Sequence, residues 1–276
     1  MSKLSKAQVR LHAEAVERLK KDTLTDIDRE FIYLHWHPGA VSNTAAASAF
    51  FTPVGLAFDF EFDAPTGGRI LDACAGIGVL SWAVSTRAHY RDSQNRPDIT
   101  AIERNHAYIE IGRKLLPWVN WIHADIFDLP DLGLGHFNSV YANPPFGRMN
   151  KPSRKFRYTG SSFELALIDM LSDHADLGGF IIPQMSAPFE FSGVQQHRRR
   201  HTRESEKFEK QTGLYLSEGC GIDCDFHRAD WLEVAPSVEV VTVDYGEHRA
   251  KPPAITHETR TDHIRIGISC ELIRLC

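Results

Sequence analysis

The chain has 276 residues, of which 42% are apolar, 24% charged and 10% aromatic, and this composition excludes wholesale disorder. A formal charge of −5 argues against a protein that coats nucleic acid indiscriminately, and no apolar run of about 18 residues predicts a membrane span. The N-terminus lacks the apolar stretch of a secretory signal, and five scattered cysteines do not suit a disulfide framework. We therefore expect a cytoplasmic protein.

The predicted elements begin with helices within residues 1–48, where apolar residues recur at helical spacing. From residue 69 onwards, short apolar strands alternate with helices, a pattern typical of a mainly parallel sheet covered on both faces. We expect strands at 69–73, 98–103, 118–124, 137–142, 179–183 and 238–244, another within 264–275, and helices at 77–86, 105–116 and 163–175. Residues 186–236 mix proline, glycine and charge, and are expected to form excursions from the sheet.

A glycine-containing turn follows the first predicted strand, in the sequence Asp72-Ala73-Cys74-Ala75-Gly76-Ile77-Gly78. Gly76 and Gly78 allow a tight turn and a close approach of ligand to backbone. Ser81 stands where a dinucleotide fingerprint has its third glycine. The acid before the turn suits a ligand with a positively charged amino group better than a pyrophosphate. The alternative interpretation is that the turn binds no ligand and is only a packed corner between strand and helix.

Acidic residues also end the next two predicted strands. Glu103 closes the second strand, where nucleotide-binding α/β folds hold a ribose diol. Asp125-Ile126 follow the third strand, where a carboxylate can accept from the exocyclic amine of a purine. Three acids at successive strand ends fit one adenosine-containing ligand.

Asn143-Pro144-Pro145-Phe146 follows the fourth predicted strand and predicts the reacting site. The lone pair of an aromatic amine is delocalised into its ring. The Asn143 side-chain oxygen and the Pro144 carbonyl can each accept a hydrogen bond from one N–H of the amine. These two bonds free the lone pair of the amine for attack. Consecutive prolines fix the loop, and Phe146 offers a face on which an extruded base stacks.

These residues resemble the [DNS]-P-P-[YFW] hallmark of class I S-adenosylmethionine-dependent methyltransferases, of the N6-adenine DNA methyltransferase type. Phe50-Phe51-Thr52-Pro53 resembles the F-x-T-P element of that family, and the order of the motifs resembles its gamma arrangement. The resemblance covers roughly residues 50–185. It implies a Rossmann-like α/β fold with a mainly parallel seven-stranded sheet, helices on both faces and added N-terminal helices.

The resemblance also implies site residues, S-adenosyl-L-methionine as cofactor and no metal. The implied catalytic residues are Asn143, Pro144, Pro145 and Phe146. The implied cofactor-binding residues are Phe51, Thr52, Pro53, Asp72, Cys74, Ala75, Gly76, Gly78, Glu103, Arg104, Asp125, Ile126 and Asn143. We expect a helical segment at 1–48, a methyltransferase domain at 49–246 with substrate-contacting loops 147–160 and 186–236, and a C-terminal extension at 247–276.

Two basic clusters are predicted to contact nucleic acid. The first follows the catalytic loop and contains Arg148, Lys151, Arg154, Lys155 and Arg157. We expect it to clamp substrate phosphates. The second contains Arg198, Arg199 and Arg200 and lies where recognition loops are inserted in this family. Its arginines would either read guanine edges or contact the phosphate backbone of the nucleic acid.

The leading hypothesis is an adenine-N6 methyltransferase acting on double-stranded DNA by base flipping, within a restriction-modification system, a phage or a mobile element. It would be nucleoid-associated, monomeric or homodimeric, with no obligatory protein partner and no membrane contact. A structured-RNA N6-adenine methyltransferase, a protein-glutamine methyltransferase and a catalytically silent DNA- or cofactor-binding subunit remain alternatives. Cys220, Cys224 and His227 resemble half of a zinc site, and we interpret them as structural.

Overall fold

The computed structural model describes residues 4–37, 50–64, 67–91, 96–148, 155–232 and 235–250. Its centre is a six-stranded sheet made of β1 (Arg69–Ala73), β2 (Asp98–Glu103), β3 (Asn120–His123), β4 (Phe137–Ala142), β5 (Ala175–Pro183) and β8 (Val238–Asp244). Their order is β3-β2-β1-β4-β5-β8, and β8 alone of these runs antiparallel to its neighbour. A short hairpin of β6 (Phe189–Glu190) and β7 (Arg198–Arg199) lies outside the sheet. The predicted strand within 264–275 lies outside the described residues.

Helices cover both faces of the sheet. They are α1 (Lys6–Leu19), α2 (Asp26–His35), α3 (Val54–Phe60), α4 (Val79–Arg91), α5 (His106–Leu115), α6 (Phe163–Leu171), α7 (Arg203–Thr212) and α8 (Tyr245–Ala250). Alternate strand residues enter different cores: Ile70 packs with α1 to α5, whereas Leu71 packs with α6 to α8. Burial on both faces explains why these strands are continuous apolar runs. The structure confirms the predicted mainly parallel α/β architecture.

Some predicted boundaries and one element were wrong. Strand β5 begins at Ala175 rather than residue 179, so that Gly178 is part of the strand, and α6 ends at Leu171 rather than residue 175. A Cβ on Gly178 would lie 2.6 Å from the Phe180 ring, so glycine is what allows this close packing. The region 186–236, expected to be irregular, contains α7, which Thr202 and Gly213 cap at its two ends.

The N-terminal helices share the core of the sheet. Ile32 and Trp36 are buried in the same cluster as Ile70. The Tyr33 hydroxyl donates to the backbone oxygens of Ile77 and Gly78, both at 3.3 Å, so α2 reaches the glycine-containing turn. Within the described ranges, no helix combines the length and apolar character needed to cross a membrane.

Candidate active site

The turn after β1 places bare backbone at the carboxyl edge of the sheet. Gly76 and Gly78 have φ of +57° and +90°, and Cys74 is the one described non-glycine residue with positive φ, at +63°. A Cβ on Gly76 would meet nothing closer than 3.4 Å, whereas on Gly78 it would lie 2.9 Å from Leu116. Gly78 is therefore required by close packing, whereas at Gly76 a Cβ would only contact the Phe51 ring. The strained backbone at Cys74 is typical of a functional site.

Glu103 connects the end of β2 to this turn. Its Oε2 accepts from the Gly76 N–H at 2.9 Å, and its Oε1 accepts from the Asn105 N–H at 2.7 Å. Burial raises the pKa of the Glu103 carboxyl, although backbone N–H groups oppose the shift. Each carboxylate oxygen retains a lone pair beyond these bonds, so the side chain is oriented and still able to accept from a hydroxyl.

Asp125 lies at the end of β3 and is more open to solvent. Its Oδ1 accepts from the Phe127 N–H at 3.0 Å and caps a short 3₁₀ helix, while its Oδ2 lies 3.5 Å from a guanidinium nitrogen of Arg104. Ile126, the next residue, is buried. The second oxygen of Asp125 thus takes part in a solvent-exposed ion pair with Arg104. Such a pair contributes little to stability, so this oxygen can readily bind another partner instead.

The structure brings the predicted acids together around the Cys74 thiol. Burial first, and then the negative charges of Glu103, Asp72 and Asp125, hold the pKa of that thiol well above its usual value. The three strand ends therefore bring three carboxyl groups together beside the glycine-containing turn, with Glu103 and Asp125 half-buried and Asp72 enclosed. We call this part of the site the acidic crevice, and its negative charge favours a positively charged ligand group.

Asp72 is enclosed rather than open to the crevice. It is 1% exposed, its Oδ2 accepts from the Ser81 hydroxyl at 2.5 Å, and its Oδ1 has no hydrogen-bond partner. Burial raises the pKa of this carboxyl to about 7. A buried carboxylate with one unpaired oxygen is costly, and a nearby cation would stabilise its charged form.

The Asn143 side chain is held in one orientation across the end of β4. Its Nδ2 donates to the Phe50 carbonyl oxygen and to the Thr52 Oγ1, both at 2.8 Å. A carbonyl oxygen can only accept, so the amide nitrogen must be the atom that faces Phe50. The Asn143 Oδ1 consequently points elsewhere, and it is buried with no hydrogen-bond partner. This leaves an acceptor oriented for a donor that the chain itself does not provide.

The predicted F-x-T-P element thus contacts the predicted catalytic loop. Phe51 packs edge-on against Trp36 and Tyr108, with ring centroids 5.8 and 5.2 Å apart. Pro53 begins α3. These contacts fix the backbone that carries the Thr52 hydroxyl and the Phe50 carbonyl.

In the catalytic loop, Pro144 is buried, Pro145 is exposed and Phe146 is half-buried. The Phe146 ring stacks on the Phe50 ring, with centroids 5.2 Å apart and planes inclined by 23°. One face of Phe146 is therefore covered by the chain itself.

A buried acid that sequence reasoning missed lies where α6 meets the loop. Glu164 is 2% exposed, its Oε1 accepts from the Ser186 hydroxyl at 2.6 Å, and its Oε2 has no hydrogen-bond partner. The neighbouring Phe163 N–H donates to the Gly147 carbonyl of the loop at 3.0 Å. Burial raises the pKa of Glu164. The available signal was an acid in the otherwise apolar start of the helix FELALIDML, but its partner Ser186 is distant in sequence.

The basic residues divide into free and engaged groups. Arg157 donates from Nε to the buried Asp169 carboxylate at 2.7 Å, and also to the Ser172 hydroxyl. Arg198 pairs with Glu190 at 2.6 Å, and Arg200 lies 4.0 Å from the same acid. The remaining predicted contacts that are described, namely Arg148, Lys155 and Arg199, are exposed. Lys151 and Arg154 lie outside the described residues.

The half-site of cysteines and histidine does not assemble. His227 Nε2 lies 2.7 Å from an Asp59 carboxylate oxygen, Cys224 is buried and Cys220 is exposed. Across the part of the chain that the structure describes, no three His, Cys, Asp or Glu side chains cluster as metal ligands would.

No protein-family model and no curated protein sequence matches the chain. Among solved structures, a protein from Listeria monocytogenes described as a class I S-adenosylmethionine-dependent methyltransferase is 14% identical, with a TM-score of 0.57 over 91% of this chain and 78% of its own. The methyltransferase subunit of a type I restriction-modification system from Streptococcus thermophilus is 12% identical, with a TM-score of 0.50 over 80% of this chain and 50% of that subunit. An rRNA methylase from Streptococcus thermophilus is 9% identical, with a TM-score of 0.41 over 71% of this chain and 98% of its own.

This chain has the Rossmann-like fold of class I methyltransferases. At these identities the likeness shows the fold alone. The chain spans about half the length of the restriction-modification subunits that it matches. In this sheet, successive strands run from β1 to β3 on one side and from β4 to β5 on the other, so the strand order reverses between the parallel strands β1 and β4. Folds of this kind bind ligands at that point. The glycine-containing turn and Asn143 lie at the ends of these two strands.

Proposed function

We propose that this protein is an S-adenosylmethionine-dependent methyltransferase that methylates the N6 amine of adenine in double-stranded DNA. The observation that carries the proposal is the unpartnered Oδ1 of Asn143. It is held in place because the amide nitrogen of the same side chain donates two hydrogen bonds, to the Phe50 carbonyl and the Thr52 hydroxyl. An acceptor that is buried, oriented and unsatisfied fits a substrate that donates an N–H. An exocyclic amine is such a donor.

The crevice beside the turn fits the proposed cofactor. Gly76 leaves space that a Cβ would fill, and Glu103 is oriented to accept from a diol. The unpaired Oδ1 of Asp72 and the surrounding acids favour an ammonium or sulfonium group. When bound there, S-adenosylmethionine supplies an activated methyl group.

The residues of the chain would act by orientation rather than as a strong base. Asn143 Oδ1 would accept one amine N–H, and the carbonyl of Pro144, the next residue of the loop, would accept the other. These two bonds turn the amine lone pair out of conjugation and towards the crevice. Thr52 and Phe50 keep the amide from rotating, and the Phe163 N–H holds the far end of the loop through the Gly147 carbonyl.

DNA is proposed as the substrate because the exposed Arg148, Lys155 and Arg199 provide positive charge outside the acidic crevice. Arg157 is left out of this surface because its guanidinium is bonded to Asp169. Base flipping is part of the proposal because the Asn143 acceptor is buried, and an adenine that is stacked inside a duplex does not reach it.

The test is transfer of tritiated methyl groups from S-adenosylmethionine to unmethylated duplex DNA of mixed sequence. Ribosomal RNA and a translation release factor serve as parallel substrates, and nucleoside digestion identifies the modified base. We expect N6-methyladenine in DNA and a loss of at least 100-fold in Asn143→Ala, on the order of one lost transition-state contact. Asn138→Ala is the matched control, since Asn138 lies on the same strand and its Oδ1 accepts from the Arg69 N–H at 2.8 Å. Equal incorporation by wild type and Asn143→Ala, or incorporation into RNA or protein alone, refutes the assignment.

A further inference from the structure

Phe50 occupies a face of Phe146 that a planar substrate would use. The two rings stack with centroids 5.2 Å apart, and the edge of Trp231 meets the Phe50 ring with centroids 6.3 Å apart. Phe50 and Phe146 are both half-buried, so their rings lie at the border between core and solvent. The chain itself therefore fills one stacking position beside the catalytic loop.

A base does not fit between these two rings. Carbon atoms in contact lie about 3.5 Å apart, so a planar base with a ring on each face needs those rings about 7 Å from each other. The observed centroid separation is 5.2 Å. On this face of Phe146, the Phe50 ring and a base exclude each other.

The Asn143 acceptor is covered in the same arrangement. Its Oδ1 is buried without a partner, so a substrate amine reaches it only after some neighbouring group moves. Phe50 contacts both halves of the site, because its carbonyl accepts from the Asn143 Nδ2 at 2.8 Å while its ring covers Phe146. Rotation of the ring about its own side-chain torsions leaves that carbonyl bond in place. Phe50 can thus uncover the stacking face without releasing the oriented amide.

We propose that Phe50 is a placeholder for the substrate base, which means that its ring covers the stacking face of Phe146 until the flipped adenine displaces it. This inference rests on the proposed function. A purine is planar and aromatic, so it replaces the lost ring contact, whereas water or a non-planar group does not. Phe50 thereby sets how readily the site accepts a substrate, and it is a positioning residue for the reaction.

The expected effect follows from the strength of the competing stack. An aromatic pair of this kind shifts an equilibrium by roughly 2- to 12-fold, and the apparent affinity for substrate is the intrinsic affinity multiplied by the fraction of the protein in which the stack is open. Phe50→Ala should therefore lower the KM for duplex DNA by roughly 2- to 12-fold. The kcat is measured separately, because the backbone carbonyl of the same residue holds Asn143.

The experiment measures kcat and KM for unmethylated duplex DNA in the wild type, Phe50→Ala and Phe50→Leu. Leucine fills much of the same volume without a flat face, so it tests the stack even if the alanine variant unfolds early in a thermal melt. Phe62→Ala is the control, since that exposed ring contacts Arg87 instead. An unchanged or raised KM in the folded Phe50 variants overturns the placeholder alone. A wild type that methylates no nucleic acid overturns the proposed function, and the placeholder with it.

Discussion

The hydrogen bond between Thr52 and Asn143 gives the sharpest prediction about orientation. The Thr52 Oγ1 accepts one N–H of the Asn143 amide at 2.8 Å, and the Thr52 side chain is buried. Thr52→Val preserves the shape and removes the acceptor, so one amide N–H is left buried without a partner. That loss costs about 1–3 kcal/mol, and the amide recovers part of it by turning away from its productive orientation.

If the whole cost falls on the transition state, kcat drops by roughly 5- to 150-fold. The KM for S-adenosylmethionine should remain within about twofold, because the Phe50 carbonyl and the crevice are unchanged. Thr52→Ser keeps the hydroxyl and should retain most of the activity.

The assay is initial-rate methyl transfer to unmethylated duplex DNA, with cofactor and DNA varied separately and folding checked by thermal melts. A raised KM for S-adenosylmethionine with unchanged kcat would refute this reasoning. It would assign Thr52 to the cofactor carboxylate, as the resemblance of the F-x-T-P element implies.

Three further outcomes are expected. The Asp72 carboxyl keeps its proton up to about pH 7 when folded but only to about 3.8 when unfolded, so stability falls as pH rises between these values. Asp72→Asn should abolish up to about 4 kcal/mol of this loss, measured by urea unfolding between pH 4 and pH 8. Gly76→Ala and Gly78→Ala should each cost about 1–2 kcal/mol because both positions have positive φ, and Gly78→Ala should cost about 1–3 kcal/mol more through steric overlap, as thermal melts will show. Gly76→Ala should in addition weaken S-adenosylmethionine binding, as calorimetry will show. Arg157→Ala should lower the free energy of unfolding by about 1–3 kcal/mol, because its buried partner Asp169 loses its cation, as urea unfolding will show. Arg199→Ala should instead weaken DNA binding and reduce its salt dependence, as filter binding at two salt concentrations will show.

Much of the fold was predictable because its signals are local. Strands at 69–73, 98–103, 137–142 and 238–244 were predicted with the observed bounds, since each is a short apolar run buried on both faces. Helix α7 carried readable signals as well, in the Thr202–Ser205 capping box and in Gly213 at φ +74°. It was missed because the surrounding charge and proline suggested irregular structure. The start of β5 was predicted four residues too late, because only the packing of Gly178 against Phe180 explains a glycine within that strand.

The charge clusters show where sequence reasoning stops. Counting arginines predicted two surfaces for nucleic acid, but counting does not reveal which guanidinium groups already have partners. Arg157 bonds to Asp169 in α6, and Arg198 bonds to Glu190 across a hairpin. The acids that engage them are no more distinctive in sequence than other acids.

The sequence by itself determined the strands, the glycine-containing turn and the residue types at each strand end. Those features depend on residues that are close along the chain. The tertiary structure alone decided that Asn143 presents its oxygen, because the acceptors that hold its nitrogen lie 91 and 93 residues away. Likewise, Glu103 meets Gly76 and Phe50 covers Phe146 only after the sheet has formed. Backbone conformation is set by local propensity and burial pattern, whereas the direction of a polar side chain is set by whichever donors and acceptors folding brings within hydrogen-bond distance.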